Sequence, residues 1–368
     1  MSIQAPVYAQ SHTAVMGSLL QHYNAGPACN TLPLLDNLLK NKYQNIVFLF
    51  LGGVGLHLLQ KYLPASAFLH QHMAGELSAV FPPSSLAAYH TIRTSLCPIT
   101  HGYLGEDQYI AETDDIVNLP SNTLSYNRYV PAFGSQPDSI PQAVSVSSHL
   151  EEASGGELSC VSITPFDNDA ALNLRQFSKK IISACKGEDP KVVFAHWEEA
   201  DSLLGIHSPH HIQSRMRFLN TQIQKLCSQL KNSLVVLTAD RGSIEYEFAF
   251  PVHNKELSAC LKMPFSIEPR ASACFVKEGM APRFEQLFAE EFGDDFLLLP
   301  RKEVLEKDWL GTGKRHPRLD SFLGDYLAIA TGKKSLFWAP RIQNLHARAA
   351  SGSLTPQEMQ LPLVVIEC

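Results

Sequence analysis

The sequence predicts an α/β/α sandwich with a mostly parallel central sheet. Three short apolar segments end abruptly at small or polar residues, which is typical of buried parallel strands; they are residues 45–51, 191–196 and 233–238. Amphipathic helical patterns alternate with these segments. Parallel strands need crossover connections, so the alternation predicts helices on both faces of one sheet.

The predicted helices follow from apolar residues spaced three and four positions apart. In chain order, helices are expected at residues 56–63, 84–96, 172–184 and 211–230. A shorter helix is expected at residues 284–292. The first two follow the first strand, and the next two flank the second, as a series of strand and helix units requires.

Two less regular segments interrupt this pattern. Residues 106–158 are rich in Ser, Pro, Asn and Gln, and residues 243–313 mix short apolar runs such as 273–276 with polar stretches. The prediction is therefore a single domain over residues 1–368, with cap or insert segments at about 106–158 and 243–313.

Composition excludes several classes of function. The chain has 368 residues, 45% hydrophobic and 18% charged, with a formal net charge of -6. It has no basic stripe of the kind that binds nucleic acid polymers. Its longest apolar run is shorter than the roughly 20 residues of a membrane span. No secretory signal pattern opens the sequence, so a cytoplasmic protein is expected.

Cysteine usage agrees with a reducing compartment. The eight cysteines are scattered singly, without a C-x-x-C pair that would indicate zinc or redox chemistry. Reduced and mostly buried thiols are expected.

Polar residues follow the predicted strands. Gly52, Asp201 and Asp240 each come just after a predicted strand. An open α/β sheet places its ligand site at the carboxyl ends of its parallel strands. A polar site at one edge of the sheet is expected, although its chemistry does not follow from position alone.

Several short motifs occur along the chain, beginning with Val-Phe-Leu-Phe-Leu-Gly-Gly-Val-Gly at residues 47–55. The others are residues 81–88, 101–105, 197–202, 237–242, 313–318 and 322–327. Together, and in this order, they resemble the motifs of the type I phosphodiesterase and nucleotide pyrophosphatase family of the alkaline phosphatase superfamily. The resemblance implies an alkaline phosphatase-like fold and a two-metal site that hydrolyses phosphate esters. Two cations in such a site clamp the phosphoryl oxygens and activate a hydroxyl nucleophile.

The resemblance assigns roles to individual residues. Ser85 takes the position of the nucleophile, at the start of a predicted helix. Asp201 and His316 take two of the three ligand positions of one metal. Asp240 takes a ligand position of the other metal.

Three departures from the family pattern weaken this metal site. Gly52 stands where the first strand should deliver a ligand Asp, and Arg241 stands where a ligand His is usual. Gly205 stands where the partner His of Asp201 is expected. The second metal is therefore not expected to bind. At most one divalent metal, zinc first, is expected, held weakly by Asp201 and His316 unless a shifted loop brings His207 to this site as a third ligand.

Two of the site residues have alternative interpretations. Arg241 could hold a phosphate directly in place of the lost cation, or it could pair with Asp240 or Asp201 and neutralise them. Ser84 or Ser85 could simply be the N-cap of the following helix. The cationic residues Lys314, Arg315, Arg318 and Arg270 fit either an active-site rim or solvated surface charge.

Two functions follow as hypotheses. The first is phosphate ester hydrolysis through Ser85 with one metal, or with Arg241 replacing the second. The second is a catalytically inactive relative that binds a nucleotide, another anionic ligand or a protein partner. Both imply a phosphate-containing small molecule as the natural ligand class, with the oligomeric state left open.

Overall fold

The computed structural model describes residues 3–26, 30–131, 143–164, 173–198, 208–338 and 349–368. Within them, the helices are α1 His12–His22, α2 Pro33–Leu38, α3 Leu56–Tyr62, α4 Phe68–Gln71, α5 Ser85–Thr94, α6 Pro98–His101, α7 Val146–Ala153, α8 Leu174–Ala184, α9 Pro209–Cys227, α10 Lys255–Ala259, α11 Ala281–Phe292, α12 Arg301–Glu306, α13 Leu319–Leu323 and α14 Pro356–Met359. None of these helices is both long enough and apolar enough to cross a bilayer.

The strands are β1 Asn45–Gly52, β2 Met73–Ser78, β3 Asp107–Ile110, β4 Asp115–Asn118, β5 Thr123–Leu124, β6 Asn127–Pro131, β7 Ser159–Ile163, β8 Lys191–Glu198, β9 Ser233–Ala239, β10 Ile244–Glu245, β11 Glu247–Ala249, β12 Ser266–Glu268, β13 Ala271–Cys274, β14 Phe296–Pro300, β15 Tyr326–Ala330, β16 Lys334–Leu336, β17 Ala349–Ala350 and β18 Gln360–Glu367. All three strands expected from the sequence are present, as are helices at the five expected positions.

The central sheet has six strands in the order β2-β18-β9-β1-β8-β7. β1 pairs in parallel with β8 and β9, and β7 pairs in parallel with β8. β18 runs antiparallel to both β9 and β2. The mostly parallel sheet is therefore confirmed, and its one reversed strand is β18.

Alternate residues of β1 point into two separate apolar cores. Phe48 and Phe50 lie in the core on one side of the sheet, which also contains α1. Val47 and Leu49 lie in the core on the other side, with residues of α3, α8 and α9. Because side chains alternate along a strand, a run that is apolar at every position must be covered on both faces. The α/β/α arrangement is confirmed.

The two irregular segments contribute to a second sheet. Its order is β14-β15-β13-β12-β3-β4-β5-β6, so β3 to β6 come from the first segment and β12 to β14 from the second. The two halves meet where Ile267 of β12 pairs with Asp107 of β3. The expected cap segments therefore share one largely antiparallel sheet that lies outside the central parallel sheet.

Candidate active site

Three strands of the central sheet end together at one edge. In the register of the sheet, Gly52 at the end of β1 lies opposite Glu198 at the end of β8. Leu51 lies opposite Ala239, so Asp240 follows β9 at the same level. This is the edge at which parallel α/β sheets bind their ligands.

Glu198 occupies the space that a side chain at position 52 would need. A Cβ atom built on Gly52 would lie 2.3 Å from Glu198 Oε2 and 2.7 Å from its Cδ. A carboxylate from the neighbouring strand therefore lies in the space beside Gly52. The sequence does not reveal Glu198 as a site residue, because a comparison with the family motif considers each position of the chain separately.

His196 lies on the same face of β8 as Glu198, since residues two apart on a strand point the same way. Its Nε2 atom is 3.2 Å from Glu198 Oε1 and 3.5 Å from Asp240 Oδ2. Trp197, between them, packs into the core on the opposite face. The pattern His196-Trp197-Glu198 at the end of β8, with an apolar residue between two polar ones, could have revealed His196 from the sequence.

The ligand atoms of His196, Glu198 and Asp240 all lie within 4.8 Å of one another. Around a tetrahedral zinc ion with bonds of ~2.0–2.2 Å, neighbouring ligand atoms lie ~3.4 Å apart. The two distances from His196 fit that geometry. The set also has the imidazole and carboxylate donors that zinc accepts, so these residues fit one divalent cation.

Arg241 forms an ion pair with the carboxylates of this site. Its Nη1 lies 2.5 Å from Asp240 Oδ2, and its Nη2 lies 3.8 Å from Glu198 Oε2. Only 4% of Arg241 is exposed. Of the two interpretations from the sequence, the structure has the pairing of Arg241 with Asp240.

The loop after β9 fixes Asp240 through backbone donors. Asp240 Oδ1 accepts hydrogen bonds from the backbone N–H groups of Gly53, at 2.8 Å, and Arg241, at 2.6 Å. The next residue must be glycine, because a Cβ on Gly242 would lie 1.9 Å from the carbonyl oxygen of Gln357. The Asp-Arg-Gly turn is therefore held tightly against α14.

The charges of the site balance one another. Burial would lower the pKa of His196, but the adjacent carboxylates of Asp240 and Glu198 raise it to about 9. Burial would likewise raise the pKa of Asp240 and that of Glu198, yet Arg241 and His196 hold both below their ordinary values. At neutral pH two cations therefore face two carboxylates in the absence of a metal.

Ser85 is the first residue of α5 and faces the same site. Its Oγ donates a hydrogen bond of 3.4 Å to Glu198 Oε1. The N-cap of α5 is Ser84, whose side chain accepts from Ala87 N at 3.1 Å. The capping role therefore belongs to Ser84, and the hydroxyl of Ser85 is directed to the carboxylate cluster.

The sequence also predicted Asp201, His207 and His316 as metal ligands. Asp201 and His207 lie outside the described residues. His316 donates its backbone N–H to Ile99 O at 2.7 Å, stacks on Phe322 and lies close to Gly102. These contacts put it beside α6, and its role as a metal ligand stays a prediction.

Arg270 does not belong to an active-site rim or to the solvated surface. It is fully buried and forms a two-bond ion pair with Glu358, with distances of 2.9 Å and 3.0 Å. Its other donors bond to the carbonyls of Gly332 and Lys334. By contrast, Arg315 is exposed and pairs with Asp320, and the half-buried Arg318 pairs with Glu112. The sequence misled here because a lone arginine is usually exposed.

This fold is the alkaline phosphatase-like fold, of the nucleotide pyrophosphatase and phosphodiesterase type. No protein-family model matches the sequence, and no curated protein matches it. Solved structures do: murine ectonucleotide pyrophosphatase/phosphodiesterase 5 has a TM-score of 0.62 and 16% identity, covering 86% of this chain and 87% of that one. The human protein of the same name has a TM-score of 0.65 and 14% identity, with 87% of each chain covered.

A bacterial enzyme has a similar fold. Phosphonoacetate hydrolase from Sinorhizobium meliloti 1021, in complex with phosphonoformate, has a TM-score of 0.63 and 12% identity. The match covers 87% of this chain and 89% of that one. The resemblance inferred from the motifs is confirmed at the level of the fold.

Proposed function

We propose that this chain hydrolyses phosphate esters, with Ser85 as the nucleophile and one divalent cation held by His196, Glu198 and Asp240. The observation that carries the proposal is the position of Glu198 in the space beside Gly52. With Glu198, the site has two carboxylates and one imidazole, and Glu198 also contacts the hydroxyl of Ser85. These are the donor types that the family pattern provides at its second metal, here delivered largely by β8.

The ligand class follows from the relatives with the same fold. An inactive variant of the murine phosphodiesterase was solved in complex with AMP. The bacterial hydrolase was solved with phosphonoformate and with phosphonoacetate. A small molecule that carries a phosphoryl or phosphonyl group is therefore proposed as the substrate of this chain.

Ser85 is well placed to attack such a group. Its Oγ–H already donates to Glu198 Oε1, so the proton has an acceptor when the oxygen bonds to phosphorus. The first N–H groups of α5 lie beside the attacking oxygen and favour an anion there. A bound cation would lower the pKa of the hydroxyl and stabilise charge on the phosphoryl oxygens.

The reaction then balances in two displacements. In the first, the bond from Ser85 Oγ to phosphorus forms, the ester bond breaks and the alcohol leaves with a proton. In the second, water attacks phosphorus, the bond from Ser85 Oγ to phosphorus breaks, Oγ takes up a proton from the water, and phosphate, or a phosphate monoester when the substrate is a diester, leaves. Arg241, whose guanidinium lies within 3.8 Å of Glu198, can donate two hydrogen bonds to the phosphoryl oxygens.

A substrate panel with metal supplementation tests the proposal. The purified protein is assayed with zinc, manganese or magnesium against a phosphomonoester, a phosphodiester and phosphonoacetate. Turnover is expected with at least one pair, to vanish in Ser85→Ala and to persist in Ser85→Thr. The Ser84→Ala variant keeps the nucleophile and controls for disturbance of α5.

The alternative is a non-catalytic protein that binds an anionic ligand. The balanced charges of His196, Glu198, Asp240 and Arg241 favour it, because they stabilise the site without a metal. In that case the panel gives no turnover with any cation, while AMP still raises the melting temperature of the protein. That result would replace the hydrolase proposal with a binding function.

A further inference from the structure

We propose that Arg241 is an internal cation that excludes the divalent metal until a phosphoryl ligand draws its guanidinium away, so that metal and ligand bind cooperatively. This inference rests on the proposed cation site at His196, Glu198 and Asp240. It adds to the proposed function a cooperative dependence of metal binding on the phosphoryl ligand, which hydrolysis by itself does not require.

Arg241 and the cation compete for the same oxygen atom. Asp240 Oδ1 is already used by the backbone N–H groups of Gly53 and Arg241. Oδ2 is the oxygen near His196 Nε2, at 3.5 Å, and it is also the oxygen that Arg241 Nη1 contacts at 2.5 Å. A cation bound by Asp240 and His196 therefore needs the position that the guanidinium now holds.

The competition extends to Glu198. Arg241 Nη2 lies 3.8 Å from Glu198 Oε2, so a single guanidinium spans both carboxylates of the candidate site. A divalent ion added beside it would bring like charges together next to the buried Asp240 and Arg241, where they are less screened than on the surface. Metal binding is therefore opposed for as long as Arg241 remains in place.

A phosphoryl group can relieve this opposition. Glu198 contacts Ser85 Oγ through Oε1 and Arg241 through Oε2, so a phosphoryl group at Ser85 lies within reach of the guanidinium. Arginine binds the oxygens of such a group with two parallel hydrogen bonds. The negative charge of the ligand then compensates both the guanidinium and the incoming cation.

Only the side chain of Arg241 has to move in this exchange. Its backbone N–H is bonded to Asp240, and the next N–H, of Gly242, donates to Glu358 O at 2.9 Å. The turn that carries Asp240 can therefore keep its shape while the guanidinium rotates about its side-chain bonds. Thermodynamic linkage then requires that the metal raise the affinity for the ligand by the same factor by which the ligand raises the affinity for the metal.

Binding of Mn²⁺ to the metal-free protein tests this inference. Free Mn²⁺ is followed by electron paramagnetic resonance. Sulfate takes the place of the phosphoryl ligand, because it is a tetrahedral anion that cannot react, and chloride at matched ionic strength is the reference. In the wild type, sulfate is expected to raise Mn²⁺ affinity about tenfold, within the usual range of coupling between sites. No difference between sulfate and chloride would overturn the inference without the need for any variant.

The Arg241→Met variant removes the charge and keeps the length of the side chain. Its Mn²⁺ affinity in chloride is expected to exceed that of the wild type about tenfold, and the sulfate effect to disappear. The control is Arg283→Met, which removes an exposed arginine paired with Glu256 and should behave as the wild type.

The outcomes separate the two proposals. Equal Mn²⁺ affinities of the wild type and Arg241→Met, unaffected by sulfate, contradict the role of Arg241 and leave the cation site intact. Failure of both proteins to bind Mn²⁺ under either condition contradicts the cation site itself, and with it this inference.

Discussion

The carboxylate of Glu198 lies in the space beside Gly52 that a larger residue at position 52 would fill. The two residues face each other across β8 and β1, so one strand supplies the group that the other lacks. In the proposed cation site, Glu198 therefore takes the part of a carboxylate at position 52, and this relationship leads to a direct test by substitution.

The Gly52→Asp variant alone is expected to be destabilised, although it restores the residue of the family pattern. Its Cβ would meet Glu198 Oε2 at 2.3 Å, so the Glu198 side chain has to swing aside, and a third carboxylate then lies beside Glu198 and Asp240, where repulsion between like charges lowers the unfolding free energy. Adding Glu198→Ala removes both the close contact and one of these charges, so the double variant should be more stable than the sum of the single effects predicts. Urea denaturation of the metal-free wild type, the two single variants and the double variant measures this coupling, and strictly additive effects would contradict it.

Ser84 and Ser85 should differ in their effect on stability. Ser84 caps α5 through Ala87 N and also donates to Leu104 O at 3.1 Å, so Ser84→Ala should lower the unfolding free energy by about 1 kcal/mol. Ser85→Ala loses only a long hydrogen bond to Glu198 and should cost less. Thermal denaturation of both variants checks the order; a larger loss for Ser85→Ala would reverse the assignment of the cap.

The buried pair of Arg270 and Glu358 should be among the costliest to break. Arg270→Met leaves the Glu358 carboxylate buried without its cation, for which about 3–5 kcal/mol of unfolding free energy is expected. The matched control is Arg315→Ala, which breaks an exposed pair with Asp320 and should change stability by less than about 0.5 kcal/mol. Similar losses in both variants would contradict a structural role for Arg270.

His90 should make the protein sensitive to acid. Burial, together with Arg93, lowers the pKa of His90 to about 3, and its ring stacks on Tyr103. The unfolded chain has an ordinary pKa of about 6.5 and takes up this proton first. The unfolding free energy is therefore unaffected above about pH 6.5 and falls as the pH drops from there towards the folded pKa.

A substitution isolates this effect. His90→Phe keeps an aromatic ring beside Tyr103 and removes the titrating group. Relative to the wild type, it should gain about 2 kcal/mol between about pH 7.5 and about pH 5, since each pH unit corresponds to about 1.4 kcal/mol. Urea denaturation at the two pH values gives this difference, and a constant difference would show that His90 already protonates in the folded state.

The sequence predicted the central sheet well because its signals are local. An apolar run such as β1 is buried on both faces wherever it occurs, and amphipathic helices such as α8 show their periodicity directly. The second sheet was not predicted as a sheet. Its strands are short, and β3 and β12 pair across a separation of about 160 residues, which no local pattern reveals.

The candidate site was predicted only in part, for the same reason. Asp240, Arg241 and Ser85 lie in recognisable motifs and do meet at the sheet edge. Glu198 becomes a site residue only through the register that sets it opposite Gly52, and His196 through its position two residues earlier. Sequence indicates that position 52 has no side chain, but only the packing of neighbouring strands shows which residue lies beside it.

The most direct test of the central claim is the stoichiometry of divalent cation binding, measured by elemental analysis after dialysis against zinc with excess metal removed. When the dialysis buffer also contains sulfate, which releases Arg241 from the site, the account predicts about one ion per wild-type chain, and a loss of at least tenfold in affinity for Glu198→Gln and for Asp240→Asn. Arg283→Met should bind as the wild type does. A zinc affinity that is unchanged in Glu198→Gln, or a wild-type protein that holds no ion with or without a phosphoryl ligand, would contradict it.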